Sequence, residues 1–389
     1  MKKLDFWKSD AFLGVALAIM IFVAAYGDLV QSLERKAYDL GVRAASRVPS
    51  DKIAVIAIDE QSIANIGRWP WPRDVHAKMT DILAAANAKV IANGTFFFEP
   101  QLDPGLVYIN KLLDLYAKST PQLPVSLVGP GAASAAASTG ESAVPDLAQF
   151  GTLLGEAEQA LNTDRKLADS FKRAGNVLLP MMFQQLTEPQ GNPDKSLPDF
   201  LIKNSVTAKP APEDALPLPG LLPLYPIPAL GAQAAAIGHL NAWNDVDGAV
   251  RTEPLLIRHY DRYFPSLSVM IAMRSLNLTA TDVKPGFGES VQVGKLRIRT
   301  DPALRMYTFF YSDHDNRPAF SIDSFFDVYS GKIPAAKYRD KIVLIGPTAA
   351  GLGASQVTPI SPATPPVLTM AHAVSSILGE HFFVVPTWG

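Results

Sequence analysis

The sequence predicts an α/β protein with a single mixed, largely parallel sheet, helices on both faces, one N-terminal transmembrane helix and two long loop insertions. Three observations predict this class. Short β-branched runs alternate with amphipathic helical segments, which is typical of βαβ units. These runs are apolar throughout, as in a sheet that is covered on both faces. One long uncharged run stands near the N-terminus of a 389-residue chain that is 48% hydrophobic and 19% charged, as folded proteins are.

The N-terminal segment predicts a membrane anchor. Residues 1–10 carry three lysines, and the seventeen residues 11–27 carry no charge. That length is the lower limit for a helix that spans a bilayer, and lysines before such a helix favour a cytoplasmic tail. We therefore expect a tail over 1–10 and a transmembrane helix over 11–27. A signal peptide cleaved near Ala25 or Gly27 is one alternative, and a buried core helix is another.

Residues 28–46 predict an amphipathic linker helix, and the main domain follows over residues 47–389. Such a helix either pairs with a second copy or docks on the domain, and at this length we expect docking. Apolar residues recur in it at near-helical spacing, at Leu29, Leu33, Ala37 and Leu40.

A strand, a helix and a second strand begin the main domain. The run IAVIAI at 53–58 is a short β-branched strand, and KVIANGTFFF at 89–98 is a second one. This βαβ unit predicts parallel strands. One apolar helical face lies between them, formed by Val75, Met79, Ile82, Leu83 and Ala86.

Two segments interrupt this pattern. Residues 101–163 contain GPGAASAAASTGESAVP, which is too poor in large apolar side chains to build a core and predicts a loop or partly disordered insertion. Residues 188–230 hold ten prolines, which disfavour regular helices and central strands. We expect the second insertion to be a linker or an extended arm across a surface.

Regular structure returns between and after the insertions. DRKLADSFKRAG at 164–175 predicts a helix that ends near Gly175, with a strand after it. The final third predicts a strand, a polar turn, a strand and a helix, followed by the strands VQVGKLRIRT and RMYTFFY. SIDSFFDVYSG predicts a short helix, KIVLIG a buried strand and VLTMAHAVSSILGE a closing helix.

Composition excludes several kinds of function. A net charge of −2 and the lack of long basic runs give no basis for binding nucleic acid. The chain has no cysteine and its six histidines are not in a metal-ligand spacing, so we expect no metal. IGPTAAGLGASQVTP at 345–359 lacks the order of a nucleotide-binding loop, and no nucleophile elbow or catalytic triad is present in the sequence. We expect no cofactor and no enzymatic activity.

Acidic residues end the first strand and precede an unusual loop. Asp59 and Glu60 fall at the carboxyl end of a parallel strand, where open α/β sheets bind ligands, but the same side chains can cap the next turn. Both interpretations stay open. GRWPWPRDVH at 67–76 predicts a rigid lid in which tryptophans and prolines pack. Arg73 begins the next helix, and Arg73 and Arg68 are left to meet Asp59 or a ligand.

The run NDVDG at 244–248 allows two interpretations. Its alternating oxygen side chains resemble the start of a calcium loop, but the distant glutamate of that loop is missing. A polar turn between two strands, with Asp247 and Gly248 supplying the turn geometry, fits better.

The order of these motifs resembles the extracytoplasmic sensory domain called CHASE type 2. The most specific element is WPWPR after a strand that ends in Ile-Asp-Glu, and the resemblance covers residues 30–389 apart from the insertions. The other matching segments are DRKLADSFKRAGNVLLP, DVDGAVRTEPLL, FPSLSVMIA and KYRDKIVLIGPTAAGLG. The resemblance implies a structural motif at Trp69, Trp71, Pro72, Asp164, Asp245, Asp247, Gly248, Arg251 and Gly346. Our candidate ligand-binding residues are Asp59, Glu60, Arg68, Arg73, Thr348 and Thr358.

Three departures from the family pattern alter the predicted pocket. Asn93 and Gly94 stand where the family has a strand ending in Phe-Asp, and Ala354 replaces an aspartate after the late strand. Pro366 and Met370 replace a glycine and a histidine at the start of the closing helix. A pocket built on these three polar positions would be weaker or altered here.

The resemblance implies a location and a role. Such domains lie in the periplasm after one N-terminal span of the bacterial cytoplasmic membrane, and further spans with a cyclase or kinase output usually follow. No output domain follows in this sequence, so we expect a fragment of a longer receptor or a stand-alone protein. We expect a sensory domain that binds a small-molecule ligand, a protein partner or a second copy. The alternative is a single-span accessory or scaffold subunit of a larger envelope complex, which the lost polar positions and the insertions favour.

Overall fold

The structure, a computed structural model, describes residues 10–25, 28–101, 103–119, 144–189, 191, 196–208, 211–212, 215–313 and 318–384. Within them, twelve α-helices accompany a seven-stranded central sheet and four smaller sheets. The helices are α1 (Asp10–Ala25), α2 (Asp28–Ala44), α3 (Glu60–Ile66), α4 (Arg73–Ala85), α5 (Pro104–Ser119), α6 (Val144–Leu161), α7 (Thr163–Ala174), α8 (Asp199–Ile202), α9 (Pro228–Gly231), α10 (Leu267–Ser275), α11 (Phe325–Tyr329) and α12 (Pro366–Gly379). The strands are β1 (Ile53–Ile58), β2 (Val90–Asn93), β3 (Val177–Gln185), β4 (Val206–Thr207), β5 (Leu221–Leu224), β6 (Ala236–His239), β7 (Thr252–Pro254), β8 (Leu256–His259), β9 (Arg262–Pro265), β10 (Val283–Gly286), β11 (Ser290–Val293), β12 (Leu296–Arg299), β13 (Arg305–Thr308), β14 (Ser321–Ser324), β15 (Ile342–Pro347), β16 (Gln356–Thr358), β17 (Ser361–Thr364) and β18 (Phe382–Phe383).

The central sheet is largely parallel, as predicted. Its strands lie in the order β14, β1, β15, β2, β3, and β6 extends the parallel set beside the first half of β3. β5 pairs antiparallel with the second half of β3, which makes the sheet mixed. β1 and β2 are parallel, as the βαβ unit predicts, but β15 lies between them. The connection through α4 therefore skips one strand.

Helices cover both faces of the sheet because its central strands are apolar on both sides. In β1, Ile53 and Val55 belong to one core together with residues of α10 and α12. The alternate residues Ala54, Ile56 and Ile58 belong to a second core with residues of α4 and α7. In such a parallel arrangement the carboxyl ends of the strands and the N-termini of the helices meet along one edge of the sheet.

The helix predicted after the first insertion is present with both of its ends. α7 begins after Asn162, whose side chain accepts a hydrogen bond from the Arg165 amide. It ends at Gly175, which has a φ of 66° that glycine adopts readily. Leu167 and Phe171, four residues apart, form its buried face.

The two insertions contain more regular structure than the prediction of loops allowed. In the first, α5 and α6 pack against each other and bury Leu106 and Leu154, while most of the alanine-rich run lies outside the described residues. The prediction of a loop rested on the alanine-rich run and overlooked the helical spacing of apolar residues in the segments that form α5 and α6. In the second, β5 joins the central sheet although it contains Pro223, because a strand paired on one side only tolerates the missing amide.

One predicted helix near the end of the chain is partly a strand. Of SIDSFFDVYSG, residues 321–324 form β14 and residues 325–329 form α11. β14 is the edge of the sheet beside β1 and carries Asp323, a polar residue that is typical of an edge strand. The prediction of a helix from the first serine was therefore wrong for these four residues.

The N-terminal helices differ in how they relate to the domain. α1 covers most of the predicted transmembrane segment with 16 residues. Across the part of the chain that the structure describes, no helix has both the length and the apolarity needed to cross a membrane, and the span stays a prediction. α2 docks on the domain, as expected: the Tyr38 hydroxyl donates a hydrogen bond to the Thr308 carbonyl, and the Asp39 carboxylate accepts from Arg251.

Candidate functional site

A cavity of about 510 Å³ lies at the carboxyl ends of the parallel strands. Its floor includes the end of β15 at Gly346 and the residues that follow β2 and β6, at Gly94 and Leu240. Its walls come from WPWPR, from the segment 250–253 and from the first turns of α10 and α12. This is the edge at which open α/β sheets bind ligands, and the volume lies in the range of small-molecule sites.

One wall of the cavity is aromatic. Trp69 and Trp71 contact each other edge to face, with ring centroids 5.2 Å apart, and Phe96 adds a third ring that is largely exposed. Trp71 is buried, and its indole N–H donates a hydrogen bond to the Gly67 carbonyl at 2.8 Å. The polar atom of this large side chain is therefore satisfied within its own loop, and the ring is free to pack.

Arg73 is fixed at the cavity edge by three contacts. Its Nε donates to the Asp164 carboxylate at 3.2 Å, and its Nη2 donates to the Glu99 carbonyl at 3.0 Å. The guanidinium lies 4.6 Å from the centroid of the Phe97 ring, a cation–π distance. These contacts hold the charge of Arg73 in one place beside the cavity.

Several buried polar atoms of the cavity wall have no hydrogen-bond partner in the protein. Of the eleven such side-chain atoms in the described residues, five belong to residues that line this cavity. Three of these residues are more than nine-tenths buried, namely His76, Ser268 and Thr369. Buried polar groups are nearly always hydrogen-bonded, to the protein or to ordered water, so these residues form the polar part of a largely apolar wall. The five atoms are His76 Nδ1, Thr95 Oγ1, Ser268 Oγ, Gln356 Oε1 and Thr369 Oγ1. Of these, Ser268 Oγ lies beside the carboxyl group of Glu253 and interacts with it, although not in ideal hydrogen-bond geometry.

Two titratable side chains of the wall have shifted pKa values. Burial raises the pKa of Glu253 to about 7, although the nearby hydroxyls of Ser268 and Ser266 partly oppose the rise. Burial, together with the charge of Arg73, lowers the pKa of His76 to about 3. At neutral pH the imidazole of His76 is therefore uncharged, and the carboxyl group of Glu253 keeps its proton to a higher pH than an exposed glutamate does.

Two glycines let helix N-termini approach the strand ends closely. A β-carbon on Gly346 of β15 would lie 2.7 Å from Cβ of Val367 in the first turn of α12. A β-carbon on Gly238 of β6 would lie 2.6 Å from Cα of Leu267, the first residue of α10. Both distances are shorter than atoms tolerate, so glycine is required where each helix begins over the sheet.

Comparison with known proteins assigns the chain to a family. The sequence model of the CHASE2 domain matches residues 15–389, essentially the whole chain. The chain belongs to the CHASE2 domain family. CHASE2 domains are extracytoplasmic sensory domains, found outside the cytoplasmic membrane. No curated protein and no solved structure matches the chain significantly.

Of the six candidate ligand-binding residues, only Arg73 lines the cavity of this CHASE2 domain. Asp59 caps α3, accepting from the Ser62 amide at 2.9 Å and from the Ser324 hydroxyl at 2.9 Å. Glu60 accepts from the Ala350 amide, and Arg68 is exposed. Arg73, the other arginine in the 67–76 loop segment, forms an ion pair with Asp164.

The two candidate threonines also lie elsewhere. The Thr348 amide donates to the Ile58 carbonyl, which joins the ends of β15 and β1. Thr358 is buried in the β16–β17 hairpin, where its hydroxyl donates to the Ser361 carbonyl at 3.1 Å. Thr358 is therefore occupied in contacts within the fold, and Thr348 contributes its backbone amide to them.

Several of the residues expected to form the structural motif lie in two clusters. Asp164 accepts from Arg73 and from the Gln101 amide, and Pro72 immediately precedes α4. In the second cluster, Arg251 donates to Asp245 at 2.8 Å and to Asp247 at 2.9 Å. Gly248 has a φ of 81° in the turn, which agrees with the polar-turn interpretation. The carboxylates of Asp245 and Asp247 both accept hydrogen bonds from Arg251.

The positions at which the sequence departs from the family pattern lie on this cavity. Gly94, Ala354, Pro366 and Met370 all line it. Asn93 is buried beside it, and its side-chain oxygen accepts from the Thr95 amide at 3.0 Å.

Sequence reasoning missed most of the polar groups that line the cavity. Glu253 and Ser268 fall within quoted motif segments, but their neighbours in sequence gave them no distinguishing pattern. Thr95 lies two residues past the end of β2, Thr369 lies in the first turn of α12, and Gln356 begins β16. The position of Thr95 after a strand and of Thr369 at the start of a helix was the available signal.

Proposed function

We propose that this CHASE2 domain is the membrane-anchored, periplasmic sensory part of a bacterial signal-transduction protein and that it binds a small molecule in the cavity. The observation that carries the proposal is a cavity of about 510 Å³ at the carboxyl ends of the parallel strands, with a few polar side chains in a largely apolar wall. A binding role rather than a catalytic one agrees with the lack of a nucleophile or cofactor motif in the sequence.

A route from the cavity to the N-terminal helices supports the sensory role. Val250 and Glu253 line the cavity, and Arg251, between them in sequence, binds Asp39 of α2. A ligand that moves the segment 250–253 would therefore act on α2 through one salt bridge. The Tyr38 ring of α2 also contacts Phe383 of β18, with centroids 5.0 Å apart, so segments near both ends of the described chain meet there.

Membrane anchoring rests on α1 and on the charge that precedes it. α1 exposes large apolar side chains along its length, and three lysines stand before it in the sequence. Apolar side chains in this position suit insertion into a bilayer with the lysines in the cytoplasm. The exposed side chains are Leu13, Val15, Leu17, Ile19 and Met20.

Ligand binding is tested by thermal unfolding of the full chain in detergent against a broad library of small molecules. We expect at least one compound to raise the Tm, because a ligand that binds only the folded state stabilises it. Thr369→Val and Ser268→Ala should reduce that shift, while Arg68→Ala, in the same motif as Arg73 but exposed, should not. A library without any cavity-dependent binder would contradict the proposal.

A second candidate, an accessory subunit of an envelope complex, is favoured by the surface of the first insertion. Tyr108 and Leu112 of α5 and Phe150 and Leu153 of α6 are large apolar side chains that are 41–67% exposed. Exposed apolar groups on one helical hairpin suit a protein contact. Extraction from native membranes in mild detergent, followed by mass measurement, tests this candidate, and a monomer without a bound partner would contradict it.

A further inference from the structure

Glu253 places a carboxyl group in the cavity wall without an opposite charge beside it. It lies in β7 and lines the cavity, and no ion pair between described residues includes it. Its pKa is raised by burial against the opposing hydroxyls of Ser268 and Ser266, with no contribution from a charged neighbour in the described chain. Glu253 nevertheless keeps some accessible surface, which faces the cavity because the residue lines it. Buried charges in proteins are normally paired, so this carboxyl group would gain from a cation.

The permanent cation of the same wall is already paired. Arg73 Nε donates to the Asp164 carboxylate at 3.2 Å, and both side chains are 12% exposed. The guanidinium also lies 4.6 Å from the centroid of the Phe97 ring. His76, the remaining titratable side chain among the described residues that line the cavity, is uncharged because burial lowers its pKa to about 3. The charge of the wall that lacks a partner is therefore the negative one that Glu253 carries when it ionises.

Aromatic rings of the same wall also favour a cation. Trp69, Trp71 and Phe96 line the cavity, and Trp69 and Phe96 keep accessible surface. The face of an aromatic ring is partly negative and attracts ammonium groups. Much of the remaining wall is apolar and includes Leu352 and Met370, which suits the hydrocarbon part of a ligand.

We propose that the ligand of this cavity is a small organic ammonium ion with an apolar or aromatic body, bound by the Glu253 carboxylate and by the rings of Trp69 and Phe96. This inference rests on the proposed sensory function, which it deepens by naming the ligand class. The ammonium group supplies the opposite charge that Glu253 lacks, and the body covers the apolar wall. The cavity volume of about 510 Å³ suits an organic ion rather than a metal ion, for which one carboxylate provides too few ligands.

Binding of an ammonium ion should be linked to the release of a proton from Glu253. Burial holds the pKa of Glu253 at about 7 in the free protein, whereas a bound cation stabilises the carboxylate. Between pH 8 and pH 6 Arg73 stays charged and His76 stays neutral, so Glu253 is the residue of the wall that titrates. The affinity for an ammonium ion should therefore fall about tenfold from pH 8 to pH 6.

The test compares matched compounds on the full chain in detergent by isothermal titration calorimetry. The probes are benzylamine, benzyltrimethylammonium and 3-methylbutylamine, with benzyl alcohol and 3-methylbutanol as neutral counterparts and benzoate as the anion. We expect at least one ammonium compound to bind about tenfold or more tightly than its matched alcohol and than benzoate, and to weaken as pH falls from 8 to 6.

Two variants and one control assign that preference to the wall. Glu253→Gln should remove most of the preference and its pH dependence while it leaves the affinity for the alcohol unchanged. Phe96→Leu keeps an apolar side chain without a ring, and it should weaken the ammonium compound more than the alcohol. Glu289→Gln, which neutralises an exposed acid, should change neither affinity.

The outcomes separate this inference from the function on which it rests. If an alcohol, a carboxylate or another library compound binds in a way that Phe96→Leu weakens, while no ammonium compound binds more tightly, the cavity is a ligand site and the ammonium inference is wrong. Equal affinity of an ammonium compound for wild type and Glu253→Gln would also contradict the inference. If no compound shows binding that depends on residues of the cavity, both proposals fail. Retained thermal unfolding cooperativity in the variants serves as the folding control.

Discussion

Arg251 binds Asp39 through two parallel hydrogen bonds, from Nε to Oδ1 at 2.8 Å and from Nη2 to Oδ2 at 2.9 Å. The same guanidinium also donates to Asp245 and Asp247, so one buried cation holds three carboxylates. The pKa of Arg251 is raised because these carboxylates accept its hydrogen bonds, and the pKa of Asp247 falls to about 2 mainly through its hydrogen bond to Arg251. α2 is therefore attached to the domain by a bidentate ion pair.

Replacing Arg251 should release α2. Arg251→Met leaves three carboxylates near each other without their cation, which should lower the free energy of unfolding by about 3 kcal/mol. Trypsin should then cleave α2 faster at Arg35, Lys36 and Arg43, as gel analysis of timed digests would measure. Arg297→Ala is the matched control, because that arginine and its partner Glu289 are more than half exposed. Equal digestion of wild type and Arg251→Met would contradict the attachment.

Periodicity and strand-end position predicted the parts of the fold that local sequence determines. β1 and β15 are buried strands of apolar residues, and α7 has a capping residue, an apolar face and a glycine at its end. The sequence of each element alone indicates its structure, and each was predicted. The order of strands was not, because β15 inserts between β1 and β2 from a distant part of the chain. β14 was taken for a helix, since an edge strand with Ser321 and Asp323 has little apolar character.

Of the predicted ligand-binding residues, Arg73 is the one that lines the candidate cavity. The expectation that WPWPR lies beside a ligand-binding edge agrees with its position in the cavity wall. Asp59 was ambiguous because a carboxylate at a strand end serves equally well as a helix cap, and here its oxygens accept from Ser62 and Ser324. Thr95, Ser268 and Thr369 meet only through the topology of the sheet, which no single segment encodes.

Acid should destabilise the protein through three buried histidines. Burial lowers the pKa values of His76, His239 and His372 from 6.5 to about 3. The unfolded chain therefore takes up these protons first, so stability is complete above pH 6.5 and is lost as pH falls towards 3. Between pH 6.5 and 5.5 each histidine should cost roughly 1 kcal/mol.

Urea unfolding at several pH values measures this loss. His239 offers the clearest single variant, because both of its ring nitrogens lack a partner in the protein. His239→Leu should remove about a third of the pH dependence over this range if the three histidines contribute equally. An unchanged slope in the variant would assign the acid sensitivity to other groups.

The close approach of β15 and α12 should make Gly346 intolerant of a side chain. The added β-carbon of Gly346→Ala would lie 2.7 Å from Cβ of Val367, so α12 must shift away from the cavity. Such overpacking typically costs about 1–3 kcal/mol. Gly353→Ala is the matched control on the same cavity, since its nearest neighbour, Pro347 Cγ, would lie 3.8 Å away.

Thermal unfolding and ligand titration of both glycine variants distinguish a packing effect from a general loss of stability. Gly346→Ala should lower the Tm and weaken any ligand whose binding depends on Thr369, while Gly353→Ala should leave the Tm within experimental error. A Gly346→Ala protein with an unchanged Tm would show that the helix accommodates the methyl group without cost.

Ionisation of Glu253 should lower the free energy of unfolding as pH rises, whereas protonation of the buried histidines lowers it as pH falls. Burial raises its pKa from 4.5 to about 7, so the folded protein keeps a proton that the unfolded chain has already released. Stability contributed by the neutral carboxyl is complete below pH 4.5 and is lost as pH rises to about 7, after which the loss is constant.

Glu253→Gln removes this titration and keeps the shape of the side chain. The variant should therefore match the wild type near pH 4.5 and exceed its free energy of unfolding by about 3 kcal/mol at pH 8. Paired urea titrations at these two pH values cancel the histidine contribution, because both proteins carry it. Glu289→Gln, on an exposed ion pair, should show no such pH-dependent difference. A constant difference between wild type and Glu253→Gln across the whole range would mean that the pKa of Glu253 is the same in the folded and unfolded protein, and burial of the neutral carboxyl group would then be ruled out.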